Sequence, residues 1–542
     1  MEKSDLGLSL QSRIASLVHA HFDGLPSRSK PTVRPDGTKE WIPMSGIVIV
    51  KGENTSSEKL ACVAVTSGAK CLSASQVPNG RGLVLHDWHA EILALRAFNY
   101  WLLSECRGVL ANERHQGHSD EITGPSTSST TSPYLRRRQQ NPPEQPSSPQ
   151  PPFELHPDIT IYMYCTCAPC GDASMELCMA AQDDPTPWEI NNLPNKDLNP
   201  ASDSNDDTQK QEQEQEPTLL DGRAHFSRLG IVRRKPARAD ADATLSKSCS
   251  DKLALRQISS LLSFETSLLV APTQPAYLAG VILPEKEISH VGCQRAFSEQ
   301  GRMKDLTGRF WPLDGGGDGG KEPDPERSGY RFRPFQVLSI PDEQYDSLWE
   351  FGKTQAHTSS SDEVEVGMQE KRKPGIISAV WTAAPSAPTS SPGAPATVDA
   401  SVKSLPVLRG SKTGLYENII NGVKQGNKAS APLARGASAL SRAKLWGGWR
   451  EIVRVSYPEL ADEEGNASEQ EGKLEELLVP AGIVEAATYR EFKKTPAAET
   501  VAITARKSAI QEAKRVLGGW ASNVDDAGWG LDVLVDPKKR KR

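Results

Sequence analysis

Apolar and polar positions divide this chain into short periodic stretches and long polar tracts without a period. Residues 46–50 (GIVIV) and 62–65 (CVAV) read as adjacent strands, and residues 159–165 (ITIYMYC) as a buried one. Residues 276–283, 335–339 and 375–381 predict further strands. Helical spacing runs over residues 89–104, where Ile92, Leu93, Leu95, Ala97, Phe98, Trp101 and Leu102 make a broad apolar face. Shorter helices are predicted over 172–181 and 251–262. A C-terminal one over 501–520 carries Ala502, Ala505, Ile510, Ala513 and Leu517. Strands and helices interleaved in this order specify an α/β layered fold.

Composition limits how much of the chain can pack. Of 542 residues only 37% are hydrophobic, and 40 are Pro and 42 Gly. The tracts at about 108–156, 183–224, 313–329, 355–373 and 383–404 read as inserted loops, because they bury too little apolar surface to offset their ordering entropy. The net charge of −6 argues against a simple polycationic nucleic-acid binder. That average hides a partition: acid concentrates at 203–216, while basic clusters stand at 136–138, 233–235, 371–373 and 538–542. Nine cysteines, an odd count in a long chain, fit a reducing compartment better than a disulfide framework. Residues 1–25 lack a signal-peptide core, and no apolar run approaches the roughly 20 residues of a membrane span. The expectation is a soluble intracellular protein without a membrane partner, in the nucleus, the cytoplasm or both. The tail PKKRKR (537–542) reads either as an import signal or as a solvated basic end.

Three short motifs carry chemistry. His89-Ala90-Glu91 opens the long helix, so the imidazole can ligate a metal while Glu91 reaches a water on that metal. The same triplet also suits a surface histidine beside a glutamate that the helix dipole favours. Pro169-Cys170-Gly171-Asp172 lies between the buried strand and a short helix, where the dipole stabilises a thiolate. Ser248-Cys249-Ser250-Asp251-Lys252 again sits at a helix threshold. One histidine and two thiolates leave a fourth zinc position open, the arrangement of a catalytic site. Cys167 and Cys170 form a C-x-x-C that could be a redox pair or half a zinc knuckle, but no second half completes it. Cys165 and Cys167 therefore read as packed core thiols.

These motifs, in order, resemble the adenosine-to-inosine editase family, and residues 67–71 (SGAKC), 292–297 (GCQRAF) and 421–426 (NGVKQG) add to the likeness. The zinc nucleobase deaminases usually follow H-x-E with P-C-x-x-C, whereas Ala173 stands here where the second cysteine would be. In the family resembled, the third ligand comes from the distant S-C-S-D-K segment. The resemblance implies a cytidine-deaminase-like layered sheet with helices on both faces, elaborated by a C-terminal α/β half. It implies zinc held by His89, Cys170 and Cys249, with Glu91 moving the proton of the attacking water to the purine ring and then to departing ammonia. It also implies a buried inositol hexakisphosphate, held on matching motifs by Arg96, Lys235, Lys252, Lys444, Tyr489, Lys493 and Lys514. Here Leu95 and Leu255-Arg256 stand where other basic or aromatic residues are common.

Domain organisation follows: a helix and first strand over 1–61, the editase domain over 62–535 with its insertions, and a basic tail over 536–542. With only about 60 residues ahead of the motifs there is no room for a double-stranded-RNA-binding module. The chain therefore resembles the tRNA-specific branch, acting on the adenosine 3′ of the anticodon (position 37) of alanine tRNA. Phosphate contacts are expected around 233–238. No obligatory protein partner is evident. The alternatives are a silent RNA-binding protein on the same scaffold, a messenger-RNA adenosine deaminase, and a cytidine deaminase, which the missing second cysteine of P-C-x-x-C and the S-C-S-D-K element disfavour.

Overall fold

The computed structural model describes residues 8–32, 39–117, 132–138, 150–181, 220–221, 228–235, 242–313, 329–353, 372–386, 414–456, 481–494, 500–520 and 526–535. Its centre is an eight-stranded sheet of β1 (Met44–Lys51), β2 (Lys59–Ser67), β3 (Ile159–Cys165), β4 (Leu278–Pro284), β5 (Gln336–Ile340), β6 (Ser378–Thr382), β7 (Tyr416–Ile420) and β8 (Val423–Lys424). The spatial order is β5-β4-β3-β1-β2-β6-β7-β8. The β5/β4 and β4/β3 pairs are parallel and the others antiparallel.

Strand periodicity divides the core into two layers. Ile47, Ile49, Val63, Ile161, Met163 and Val281 face one cluster, and Val48, Val50, Val65, Tyr162, Tyr164 and Ile282 face the other. The second face is covered by α1 (Leu10–Asp23) through Ile14, Val18 and Phe22. A Cβ on Gly46 would stand 2.5 Å from a Val18 methyl, so only glycine permits this close docking. The first face is covered by α2 (Ala90–Gly117); α4 (Cys249–Ser259) and α6 (Arg442–Ser456) pack on α2, and α7 (Val501–Leu517) packs on α4. Short α3 (Met175–Ala180) and α5 (His290–Phe297) pack near the end of β3.

The layered α/β expectation is met, with helices on both faces. The expected helix at 89–104 runs on to Gly117, and Leu135–Arg137 pairs with Phe153–Leu155, so part of the first expected insertion is structured. α6 went unread because Gly447 and Gly448 interrupt its apolar pattern, although Trp446 and Trp449 are fully buried. Burying such side chains contributes about 1.5–3 kcal/mol each, more than the roughly 1 kcal/mol each glycine costs. The tracts 183–219, 314–328, 355–371 and 387–404 and the tail 536–542 lie outside the described residues. Among the described residues no helix is long and apolar enough to cross a membrane.

Parallel pairing of β3 with β4 requires a crossover. The chain makes it through α3 and α4, which brings the segment after β3 and the N-terminus of α4 to one place.

Candidate metal centre and its neighbouring cavities

Three chain segments meet at that place. The start of α2 is tied to the end of β2, because Ala90 N–H donates to the Gly68 carbonyl at 2.8 Å and the Thr66 hydroxyl donates to the Ala90 carbonyl at 2.7 Å. The Asp87 carboxylate accepts the His89 N–H at 3.0 Å. Gly171, directly after Cys170, adopts φ 106°, and a Cβ there would fall 2.2 Å from the Ser248 hydroxyl. Glycine thus lets the two cysteine loops touch. The Ser248 hydroxyl caps α4 by accepting the Asp251 N–H at 3.1 Å, and the Ser250 hydroxyl donates to the Cys170 carbonyl at 3.0 Å. Beneath these loops Arg302 pairs with fully buried Asp251 at 2.6 Å, and Arg295 with fully buried Asp172 at 3.0 Å. Paired buried acids of this kind hold the loops rigidly.

The metal-ligating atoms converge. His89 Nδ1 lies 3.6 Å from Cys249 Sγ and 3.9 Å from Cys170 Sγ, and the three donors all lie within 4.8 Å of one another. Tetrahedral zinc with N and S donors sets such separations at about 3.6 Å. The Cys249 N–H donates to Cys170 Sγ at 3.4 Å and the Lys235 ammonium to Cys249 Sγ at 3.2 Å, both favouring thiolate. A hydrogen bond from Cys249 pulls the Cys170 thiol well below its ordinary value despite burial. One imidazole and two sulfurs at this spacing can hold a metal ion.

Glu91 is buried beside these donors, and its Oε2 has no hydrogen-bond partner among the described residues. Burial raises its pKa, which suits a carboxyl that must hold and release a proton. His89, Glu91 and Cys170 line a cavity of about 600 Å³ whose walls include Trp41, Lys70, Trp88, Lys353 and Asn421. Asn421 sits at φ 52° in the β7–β8 turn, and the carbonyl of Gly422 accepts the Leu85 N–H at 2.8 Å, which ties that turn to the approach to α2.

A second cavity of about 490 Å³ is lined by Arg96, Lys252, Arg256, Arg442, Tyr489, Lys493, Arg506 and Lys514, with Glu265 and Asp87 as its acids. Burial, with the neighbouring cations adding to it, lowers Lys493 to about 8 and Arg256 to about 9. So concentrated a charge suits a polyanion. Asp87 joins the two cavities. Its Oδ2 accepts from Lys235 at 2.9 Å, from Ser246 at 2.7 Å and from Lys252, so an ion-paired chain runs from Lys252 to Cys249. Burial opposes ionisation, but the two lysines hold Asp87 well below the usual carboxylate range.

The expected zinc ligands and Glu91 therefore stand together. Of the residues expected around an inositol phosphate, Arg96, Lys252, Tyr489, Lys493 and Lys514 line the second cavity. Lys235 instead lines the first, and Lys444 lines neither, standing within the electrostatic reach of Lys424 and Glu417. Arg256, Arg442 and Arg506 were missed; the only sequence signal was the basic residue at 256 within the S-C-S-D-K helix. Two expectations are corrected in part. Of the phosphate contacts expected around 233–238, Arg233 and Lys235 are 1% and 4% exposed and bonded inside the protein, so these two offer none, and residues 236–238 lie outside the described residues. Cys165 is a core thiol, but half-buried Cys167 lines the first cavity.

A layered mixed sheet with a His/Cys/Cys cluster beside a buried glutamate defines a hydrolytic nucleobase deaminase, and the chain belongs to the adenosine-deaminase (editase) family. The adenosine-deaminase (editase) domain matches residues 64–310. The chain is 34% identical over 335 residues to a Schizosaccharomyces pombe protein named tRNA-specific adenosine deaminase 1, covering 62% of this chain and 69% of that protein. The Saccharomyces cerevisiae protein of the same name is 30% identical over 280 residues, 51% of this chain and 59% of its own length. A mouse double-stranded RNA-specific editase B2 is 25% identical over 191 residues, 31% of this chain and 22% of that protein.

Proposed function

We propose that this chain hydrolyses adenosine to inosine in tRNA, at the adenosine 3′ of the anticodon (position 37) of alanine tRNA. His89, Cys170 and Cys249 would hold zinc. The observation that carries the reading is the convergence of those three donors beside a buried carboxylate with one oxygen unpartnered among the described residues, against a cavity large enough for a nucleoside. The names of the fungal relatives support tRNA as the substrate class.

When bound, zinc supplies the Lewis acidity that makes water nucleophilic near neutral pH. The protein's own groups do the rest. Glu91 takes a proton from the attacking water as the C6–O bond forms and delivers it to the purine ring nitrogen. It then takes the remaining proton of the new C6 hydroxyl and delivers it to the amine, so that the C6–N6 bond breaks, ammonia leaves and C6 becomes the carbonyl of inosine. The Cys249 N–H donates to the Cys170 sulfur and Lys235 to the Cys249 sulfur, and Asp87 holds both Lys235 and the His89 backbone. A base paired in a helix cannot reach Glu91, so the adenosine enters looped out.

The second cavity would hold inositol hexakisphosphate, through Arg96, Lys252, Lys493 and Lys514 together with Arg256, Arg442 and Arg506. Its presence would neutralise a cluster of buried cations that otherwise repel one another.

The test is to incubate purified full-length protein with bulk tRNA and map inosine by sequencing. Inosine at position 37 of alanine tRNA is expected. Inosine confined to other RNAs would overturn the substrate, and none anywhere would overturn the reaction.

A further inference from the structure

The wall of the first cavity holds an aromatic ledge that the deamination chemistry does not use. Trp41 is half-buried and lines this cavity, unlike Trp101, Trp446 and Trp449, which are under 2% exposed. It ends a short strand, Lys39–Trp41, that lies outside the eight-stranded sheet and pairs in parallel with Arg372–Pro374. The Gly375 N–H donates to the Trp41 carbonyl at 2.8 Å, and the Ile42 N–H to the Phe351 carbonyl at 3.0 Å. The backbone on either side of the Trp41 carbonyl is thereby pinned, so the main chain that carries the indole has little ordering entropy left to lose when something lies on it.

The charge around the ledge is basic. The exposed Lys353 ammonium stands 4.4 Å from the Trp41 ring centroid. Lys70 and Pro374 line the same cavity, and Arg372 and Lys373 belong to the paired strand. The facing acids are Asp242 in the cavity wall and Glu40, the latter close enough to act on Lys70. An indole plane beside a solvated cation presents to a single-stranded nucleotide one partner for its base and one for its phosphate. A tryptophan kept merely for core packing would be covered, and this one opens on the cavity that holds Glu91.

We propose that Trp41, with Lys353 beside it, is a stacking platform for the nucleobase next to the edited adenosine, holding the looped strand while the target base enters. This rests on the reading of the chain as an RNA adenosine deaminase. Trp41 is a positioning residue here, since it touches the neighbour of the reacting base.

The experiment compares full-length wild type, Trp41→Leu and Trp41→Phe on tRNA transcripts, intact or abasic at the nucleotide 5′ or 3′ of the target. Leucine keeps apolar packing but offers no aromatic face. Trp41→Leu should lower kcat/KM by about 5- to 150-fold with zinc content and melting temperature unchanged, and Trp41→Phe should recover most of it. Removing the stacked base should cost wild type a similar factor and cost Trp41→Leu nothing further. Lys353→Gln should reduce the salt dependence by about one phosphate contact. Full activity of Trp41→Leu, or additive losses at both flanking positions, would overturn the platform while wild type still forms inosine. A wild type that forms no inosine would overturn the functional reading, and the platform with it.

Discussion

The two cavities are built from opposite materials. The first places a single unpartnered carboxylate oxygen beside three metal-type donors, and most of its wall is apolar or neutral. The second crowds seven arginines and lysines against two acids. Asp87 lies between them, lining the second and holding Lys235, which lines the first. The contrast separates two uses of burial. In the first, burial adjusts one group for proton transfer; in the second, it stores repulsion that a bound polyanion would relieve.

If that division is right, damage to the first cavity should abolish chemistry, and damage to the second should weaken anion binding first. The largest effect is expected from Cys249→Ala, which should lose zinc and all measurable inosine formation; full metal occupancy by elemental analysis would point to Cys167 as a substitute ligand. Glu91→Ala should keep zinc yet lower the single-turnover rate by about 10²- to 10⁴-fold. Substantial residual turnover would discard Glu91 as proton carrier. Arg256→Leu should weaken inositol hexakisphosphate binding, measured by calorimetry, by about tenfold or more, since a charge-assisted contact contributes about 1.5–3 kcal/mol. Zinc content should be unaffected.

A pH effect sharpens the second cavity further. With Lys493 lowered to about 8, chiefly by burial, it is already protonated below that pH and binding needs no proton. Above it, binding a polyanion must restore the proton, so affinity measured by calorimetry should fall by up to about tenfold per pH unit. Affinity that is flat from pH 7 to 10 would exclude Lys493 from the anion site. The smallest effect is expected from Lys444→Ala, which should leave anion affinity within about twofold, because Lys444 lies outside the cavity lining.

The same contrast explains how much the sequence disclosed. The metal donors could be read because each lies in a compact local string: an imidazole two residues from a carboxylate, then two cysteines flanked by turn or capping residues. The strand pattern also resolved well, since alternation along β1 and β3 feeds two separate apolar layers. The cation cavity draws one or two cations each from α2, α4, α6, α7 and the segment around Tyr489, and no local pattern marks which lysine or arginine points inward. Hence Lys444 was included and Arg442, two residues before it on the same helix, was missed. Arg233 misled for a related reason: a basic run suggests a solvated surface, but Asp172 and Asp251 draw its guanidinium inward.

The central claim is that His89, Cys170 and Cys249 hold one zinc ion that Glu91 serves without ligating. The most direct measurement is the zinc-to-protein ratio of the folded wild type and of Glu91→Ala, determined together. One zinc per chain in both is predicted; folded, active wild-type protein without zinc would contradict the account.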